Sequence, residues 1–117
     1  MKNLQLKAPA TYWNIPENVR HEKYHGCGPG HLGDWFVPDT IWGLNVVEAC
    51  RIHDHEYEVG ETKADKRRAD ARFLHNLIVL IYLKGGGRLL IKRRIRRAFT
   101  YYKMVSKFGY QAFFSTK

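Results

Sequence analysis

A short stretch near the middle of the chain combines an imidazole, a carboxylate and a phenol at helical spacing. In residues 49–57, Cys50, His53 and Tyr57 fall on one face of a helix, and Asp54 lies about a quarter turn away. A histidine that can accept a proton, beside a carboxylate that can bind a hard cation, is typical of metal-assisted hydrolysis. An ordinary surface helix could carry the same residues, so their role depends on the elements that position them.

Two helices joined by a very short connection are predicted to position these groups. The first begins near Asn45 and ends at Gly60, and the second runs from Thr62 to Leu83, before the three glycines 85–87. Asn45 and Thr62 each stand three residues before an acidic residue, which is the spacing of a capping box. A connection of about three residues makes consecutive helices run antiparallel, side by side.

The second helix is predicted to provide a partner for the histidine. Asp70 lies on its apolar stripe, where an unpaired carboxylate would be costly; the stripe consists of Phe73, Leu74, Leu77, Ile78 and Ile81. His53 and Asp70 are nearly equally far from the turn, with a mismatch of roughly 3 Å at about 1.5 Å per residue. The carboxylate could therefore hold one imidazole nitrogen while the other takes a proton from water, as in hydrolases.

A glycine-rich segment precedes the two helices. Gly26, Gly28 and Gly30 alternate with other residues in the segment 24–34. Such a backbone can bring carbonyl oxygens close to a cation or amides close to an anion, although a plain turn would have a similar composition. The apolar residues 35–42 that follow could pack inward or form an exposed, membrane-facing patch.

The charge of the chain is concentrated at its C-terminal end. Residues 84–117 contain ten lysines and arginines and no acidic residue. A third helix, 88–106, is predicted there, with an apolar face of Ile91, Ile95, Phe99 and Tyr102 opposite a mostly basic face of Lys92, Arg93, Arg94, Arg96 and Arg97. This basic face could be merely solvated, or it could bind an anionic membrane or nucleic acid, of which the membrane is favoured.

Length and composition predict one small globular domain. The chain has 117 residues, and its first 23 look like an extended lead-in with about one turn of helix. The N-terminus lacks the apolar core of a secretory signal, and no apolar run reaches the ~20 residues that span a bilayer. Two cysteines allow at most one internal disulfide, and composition alone leaves its formation open.

Together these motifs resemble the phospholipase A2 superfamily. Cys50-Arg51-Ile52-His53-Asp54, with Tyr57 four residues after the histidine, is similar to the family's helix motif, and residues 24–30 look like its calcium loop. The chain resembles a short form of this family and is similar to the phospholipase domain of parvovirus capsid proteins. The Ala-Asp-x-x-Phe helix of that domain matches residues 69–73. The resemblance spans residues 24 to about 77 and leaves the basic segment without a counterpart.

The resemblance implies a catalytic set and a calcium site. His53 would be the general base, Asp70 its orienting carboxylate and Tyr57 a hydrogen-bonding support, while the amide of Gly28 would help hold the oxyanion. The Ca²⁺ ligands would be the Asp54 carboxylate and the backbone carbonyls of Gly26, Gly28 and Gly30. His55 matches nothing in the family pattern and is expected to be replaceable without loss of activity.

The resemblance also gives the cysteines a role. Cys27 and Cys50 fall where the secreted enzymes have a disulfide between calcium loop and helix, so a Cys27–Cys50 bridge is expected, together with an oxidising environment. The viral enzymes lack this bridge, and the secreted ones have more disulfides and a longer connection between the helices. The protein is therefore expected to be secreted or virion-associated.

The resulting expectation is an all-α phospholipase A2-like domain over residues 1–117, with a catalytic core at 23–83 and a basic helical segment at 84–117. It would be a calcium-dependent phospholipase A2 acting on the sn-2 ester of glycerophospholipids at a membrane surface. One alternative is a catalytically inactive module that binds or perturbs membranes. Another is a zinc-dependent nucleic-acid-binding protein with Cys27, Cys50, His53 and His55 as ligands, which is disfavoured because residues two apart on a helix diverge by about 200°.

Overall fold

Helices make up most of the protein. The computed structural model describes residues 6–24, 38–115 and 117. In chain order the elements are α1 (Ala10–Trp13), α2 (Glu17–Lys23), β1 (Thr40–Ile41), β2 (Leu44–Asn45), α3 (Val47–Val59), α4 (Lys63–Lys84), α5 (Arg88–Phe108) and α6 (Tyr110–Phe114). Apart from the antiparallel β1–β2 hairpin, every regular element in these ranges is helical, which confirms the predicted all-α class.

Helix α4 begins and ends where the sequence predicts. The Thr62 hydroxyl accepts a hydrogen bond from the Asp65 amide at 3.1 Å, and the Asp65 carboxylate accepts one from the Thr62 amide at 3.1 Å. This reciprocal capping box satisfies amides that the first helical turn leaves without partners. At the other end Gly85 adopts φ 73°, which is strained for residues with a Cβ.

Helix α3 begins differently from the prediction. Asn45 belongs to β2, and its Oδ1 accepts the Val47 amide at 2.8 Å while Val46 occupies the N-cap. The predicted partnership of Asn45 with Glu48 is wrong, because the Glu48 carboxylate instead accepts the Tyr12 hydroxyl at 2.6 Å. A tertiary contact has thus replaced the Glu48 half of the predicted capping box, while Asn45 still accepts a local amide.

The main core lies between α3, α4, α5 and the hairpin. Its buried side chains are Ile41, Leu44, Val46, Ala49, Cys50, Phe73, Leu77, Ile81, Ala98, Tyr101 and Val105. Three members of the predicted α4 stripe, Phe73, Leu77 and Ile81, therefore face inward, and Leu74 packs at the edge of the same cluster. Ile78 is only partly buried and lies outside this cluster. Burial of these side chains fixes α4 between its two neighbouring helices.

The buried face of α5 is shifted from the predicted one, although Ile91 and Ile95 pack against the core as predicted. Ala98, Tyr101 and Val105 are buried with Arg94, whereas Phe99 is 43% exposed. The prediction that Arg94 lies on the outer basic face is wrong. Its guanidinium donates to the carbonyls of Ile41 at 3.3 Å and Trp42 at 2.7 Å, which offsets the cost of its burial.

The N-terminal segment contains two short helices rather than an extended lead-in with one helical turn. Leu6, Tyr12 and Tyr24 form a second cluster with Ile52 of α3. Asn76 of α4 anchors the segment: its amide group donates to the Lys7 carbonyl at 2.9 Å and accepts the Lys7 amide at 2.8 Å. This segment therefore packs on the outer side of α3 and α4.

None of the helices in the described ranges is both long and apolar enough to cross a membrane.

Candidate active site

The structure brings His53 of α3 and Asp70 of α4 into direct contact. Imidazole Nε2 lies 2.8 Å from carboxylate Oδ1, and both side chains are buried. The contact follows from the short connection 60–62, which makes α3 and α4 antiparallel neighbours. The ring of Phe73 packs on the imidazole, with centroids 4.7 Å apart. The predicted pairing is thus present in the fold.

Tyr57 contacts the same carboxylate oxygen. Its hydroxyl donates to Asp70 Oδ1 at 2.7 Å, and its ring lies 4.2 Å from that of His53, as expected one helical turn further on. Burial, and then the neighbouring Asp70 charge, raises the pKa of Tyr57 above its usual range. Tyr57 is therefore a neutral hydrogen-bond donor to the pair.

Lys66 is a third partner of Asp70 that sequence reasoning missed. Its ammonium lies 2.6 Å from Asp70 Oδ2, and it also donates to the carbonyls of Val105 at 3.1 Å and Ser106 at 3.2 Å. The residue is 1% exposed, and its ammonium lies 4.2 Å from the centroid of the Tyr110 ring. A signal was present, since Lys66 stands four residues before Asp70, but such a pair usually lies on a helix surface.

These contacts keep Asp70 ionised. Burial on its own would raise the pKa of this carboxyl, but hydrogen bonds and charge from His53, followed by hydrogen bonds from Lys66 and Tyr57, lower it overall. Oxygen Oδ1 serves His53 and Tyr57, while Oδ2 serves Lys66. Asp70 is consequently a fixed negative charge at one nitrogen of the imidazole.

The arrangement can support general base chemistry. When Nε2 donates its proton to Asp70, Nδ1 carries the lone pair that can accept a proton. Within residues 6–24, 38–115 and 117, no hydrogen bond to Nδ1 is formed. A carboxylate that fixes the tautomer and stabilises the imidazolium is the base-and-orienter geometry of hydrolases.

Asp54, which directly follows His53 in the sequence, is the predicted carboxylate ligand for calcium. It is half-buried on α3, and burial raises its pKa to about 7. It has no hydrogen bond or ion pair with any residue of the described ranges. A carboxylate placed in this way can be stabilised by a hard cation, which prefers oxygen ligands.

The remaining predicted site residues fall in the segment 25–37. Gly26, Gly28, Gly30 and Cys27 lie outside the described residues, so the calcium loop and the oxyanion amide stay predictions. Cys50 is buried on α3 beside the hairpin core. Its bridge to Cys27 likewise stays a prediction.

His55 belongs to a different cluster from His53. Its Nε2 lies 2.9 Å from the Thr11 hydroxyl and its Nδ1 lies 2.9 Å from the Tyr24 hydroxyl. Burial lowers the pKa of this histidine. His55 therefore connects the N-terminal segment to α3 and contributes to stability. The expectation that it can be replaced without loss of activity concerns catalysis only and stays a prediction.

The zinc alternative requires His53 and His55 to share a metal. In the described part of the chain the two imidazoles engage separate partners, Asp70 for one and Thr11 with Tyr24 for the other. No group of three histidine, cysteine or acidic side chains there is arranged to hold a metal ion. The described residues thus give no zinc geometry around this histidine pair.

Comparison with known proteins gives no relative: no family model, no curated protein and no solved structure matches the chain.

Proposed function

We propose that the protein is a calcium-dependent phospholipase A2 that hydrolyses the sn-2 ester of glycerophospholipids at a membrane surface. The observation that carries this proposal is the buried pair of His53 and Asp70, 2.8 Å apart on adjacent antiparallel helices. The tyrosine that the family resemblance assigns to this pair, Tyr57, donates to the same carboxylate at 2.7 Å. Three residues chosen from the sequence motifs thus meet at one point.

In this proposal His53 removes a proton from the water that attacks the ester. Asp70 holds the ring orientation and stabilises the positive charge that the imidazole gains. Tyr57 and Lys66 hold the two oxygens of Asp70, so that the carboxylate cannot rotate away from the ring. Fixing the base in this manner lowers the entropy cost of reaching the reactive geometry.

Calcium would be held by Asp54 and by the carbonyls of Gly26, Gly28 and Gly30. The partly buried carboxylate of Asp54, whose pKa is raised to about 7 by desolvation, fits a cation ligand. When bound, the ion would supply positive charge that polarises the ester carbonyl and stabilises its oxyanion. The amide of Gly28 would add a donor to the same oxyanion.

The test is release of fatty acid from phosphatidylcholine vesicles, with calcium and with excess chelator. The wild type should release sn-2 fatty acid only with calcium, and His53→Gln should lower the rate by about 10²- to 10⁴-fold, the usual contribution of a general base. His75→Gln, which changes an exposed histidine on α4, is the matched control and should retain full activity. Hydrolysis that persists in chelator or in His53→Gln would contradict the mechanism.

The alternative of an inactive module is favoured by one observation, the exposed basic and apolar surface of α5. Such a protein would make vesicles leak without releasing fatty acid. Measuring dye leakage and fatty acid in the same sample separates the two functions. We also propose that the protein acts outside the producing cytoplasm, because the expected Cys27–Cys50 disulfide would persist only in an oxidising environment. Mass spectrometry of the non-reduced protein would detect this disulfide.

A further inference from the structure

The tip of the β1–β2 hairpin displays a tryptophan in an unusual backbone conformation. Trp42 adopts φ 47° and Gly43 φ 81°, and Ile41 pairs with Leu44 across the turn. Positive φ at both central residues is the pattern of a type I′ turn, where asparagine or glycine is preferred at the first position. A bulky residue is strained in this conformation, and strain of this kind clusters at functional sites.

The hairpin is nevertheless held firmly on α5. Buried Arg94 donates to the carbonyls of Ile41 and Trp42, at 3.3 and 2.7 Å, and the Tyr101 hydroxyl donates to the Thr40 carbonyl at 2.9 Å. These bonds fix the backbone of the turn and leave its side chain outside. Trp42 is 50% exposed although its neighbour Ile41 is fully buried.

Arginines from the outer face of α5 surround the exposed ring. The guanidinium carbons of Arg93 and Arg97 lie 5.5 and 5.9 Å from the Trp42 ring centroid. Leu89, one helical turn before Arg93, is 62% exposed on the same face. The face continues with exposed basic side chains, namely Lys92, Arg96, Lys103 and Lys107.

These basic residues have no acidic partners on their own segment. Residues 84–117 contain no aspartate or glutamate, and no ion pair within the described ranges involves α5. The outer face of α5 is therefore a continuous positive surface around an amphipathic aromatic ring. We call Trp42 and the exposed residues of α5 the Trp42–α5 face.

We propose that the Trp42–α5 face docks the protein on the surface of an anionic phospholipid bilayer. Tryptophan favours the boundary between head groups and acyl chains, and basic side chains bind anionic head groups. Exposed aliphatic side chains favour lipid over nucleic acid: Leu89 shares this face, and Leu83 is exposed just before the turn into α5. This inference rests on the proposed function for its choice of lipid but requires no chemistry from His53.

Binding can be tested without hydrolysis by using ether-linked phospholipids, which have no ester to cleave. Vesicles of pure phosphatidylcholine and of equal parts phosphatidylcholine and phosphatidylserine are sedimented with the full chain in chelator. Wild type should bind the anionic vesicles, and the double variant Arg93→Gln/Arg97→Gln should bind them about thirty-fold more weakly. Trp42→Ala should also weaken binding and reduce the blue shift of tryptophan fluorescence, with far-UV circular dichroism verifying its fold.

The matched control is Lys63→Gln/Arg67→Gln, which removes the same charge from exposed positions at the far end of α4. It should change binding less than two-fold. Equal losses in the two double variants, or unchanged binding of Trp42→Ala, would overturn the proposal. The proposal would also be overturned if the double variant Arg93→Gln/Arg97→Gln lost binding to duplex DNA but kept its binding to vesicles. Docking without fatty acid release in the hydrolysis assay would refute the enzymatic proposal alone.

Discussion

Replacing Lys66 with methionine removes one charge from the most enclosed ion pair of the site. Methionine keeps most of the side-chain length but has no donor. Asp70 Oδ2 then loses the ammonium at 2.6 Å, its partner among the described residues, while Oδ1 keeps His53 and Tyr57. Removing one member of a buried pair costs about 3–5 kcal/mol because the other charge stays buried.

The structure favours the lower end of this range. Two hydrogen bonds still compensate Asp70, and the Val105 carbonyl, which also loses Lys66, still accepts the Gly109 amide at 2.9 Å. We therefore expect a loss of about 3 kcal/mol. For 117 residues an unfolding entropy of about 2.1 cal/mol/K per residue gives about 0.25 kcal/mol/K, so Tm should fall by about 12 °C.

Thermal unfolding of wild type and Lys66→Met, followed by circular dichroism at several pH values, measures this effect. The pKa of Asp70 is lowered in the fold, so the stability that its ionised form contributes is present above about pH 4 and is lost as the pH falls further. The Tm difference should accordingly shrink in acid. Lys63→Met, an exposed change on the same helix, should alter stability by less than about 0.5 kcal/mol. A Lys66→Met protein that melts within about 3 °C of wild type at neutral pH would refute the reasoning.

Three further changes test other parts of the site. Burial raises the pKa of both Asp54 and Glu56 to about 7, so stability in chelator should fall as the pH rises from about 4 to about 7. Asp54→Asn should reduce that fall in urea titrations and leave the part that Glu56 contributes; an unchanged slope would contradict the assigned burial cost of Asp54. His55→Ala loses the hydrogen bonds to Thr11 and Tyr24 and should lower the free energy of unfolding by about 2–3 kcal/mol. Fatty acid release measured below its melting temperature should stay normal, and loss of activity in the folded variant would give His55 a role in the chemistry. Gly109→Ala places a methyl group against the Tyr57 hydroxyl and should cost about 1–3 kcal/mol, and a neutral result would mean that α6 shifts freely.

Features set by local sequence were predicted well. The capping box at Thr62 and the stop at Gly85 depend on residues within one turn, and both are present. The meeting of His53 with Asp70 is a longer-range contact, but it followed from two helix lengths and a short connection. Helical geometry alone was enough to place these groups.

Features set by distant packing were missed. Lys66 and Arg94 are cations, which sequence reasoning assigns to the surface, yet both are buried because carbonyl oxygens of other elements receive them. Asn45 was expected to open a helix and instead ends a strand, since the hairpin is stabilised by α5. In each case the deciding partner lies far along the chain, where periodicity carries no information.

The short connection between α3 and α4 also limits how the chain can change in length. One residue inserted in α4 before Asp70 would rotate the carboxylate by about 100° and shift it by about 1.5 Å, away from His53. The same holds for insertions in α3 between His53 and Gly60. Between His53 and Asp70, only the connection 60–62 can lengthen without changing the angular position of either group, so natural insertions in this stretch should be confined to that connection.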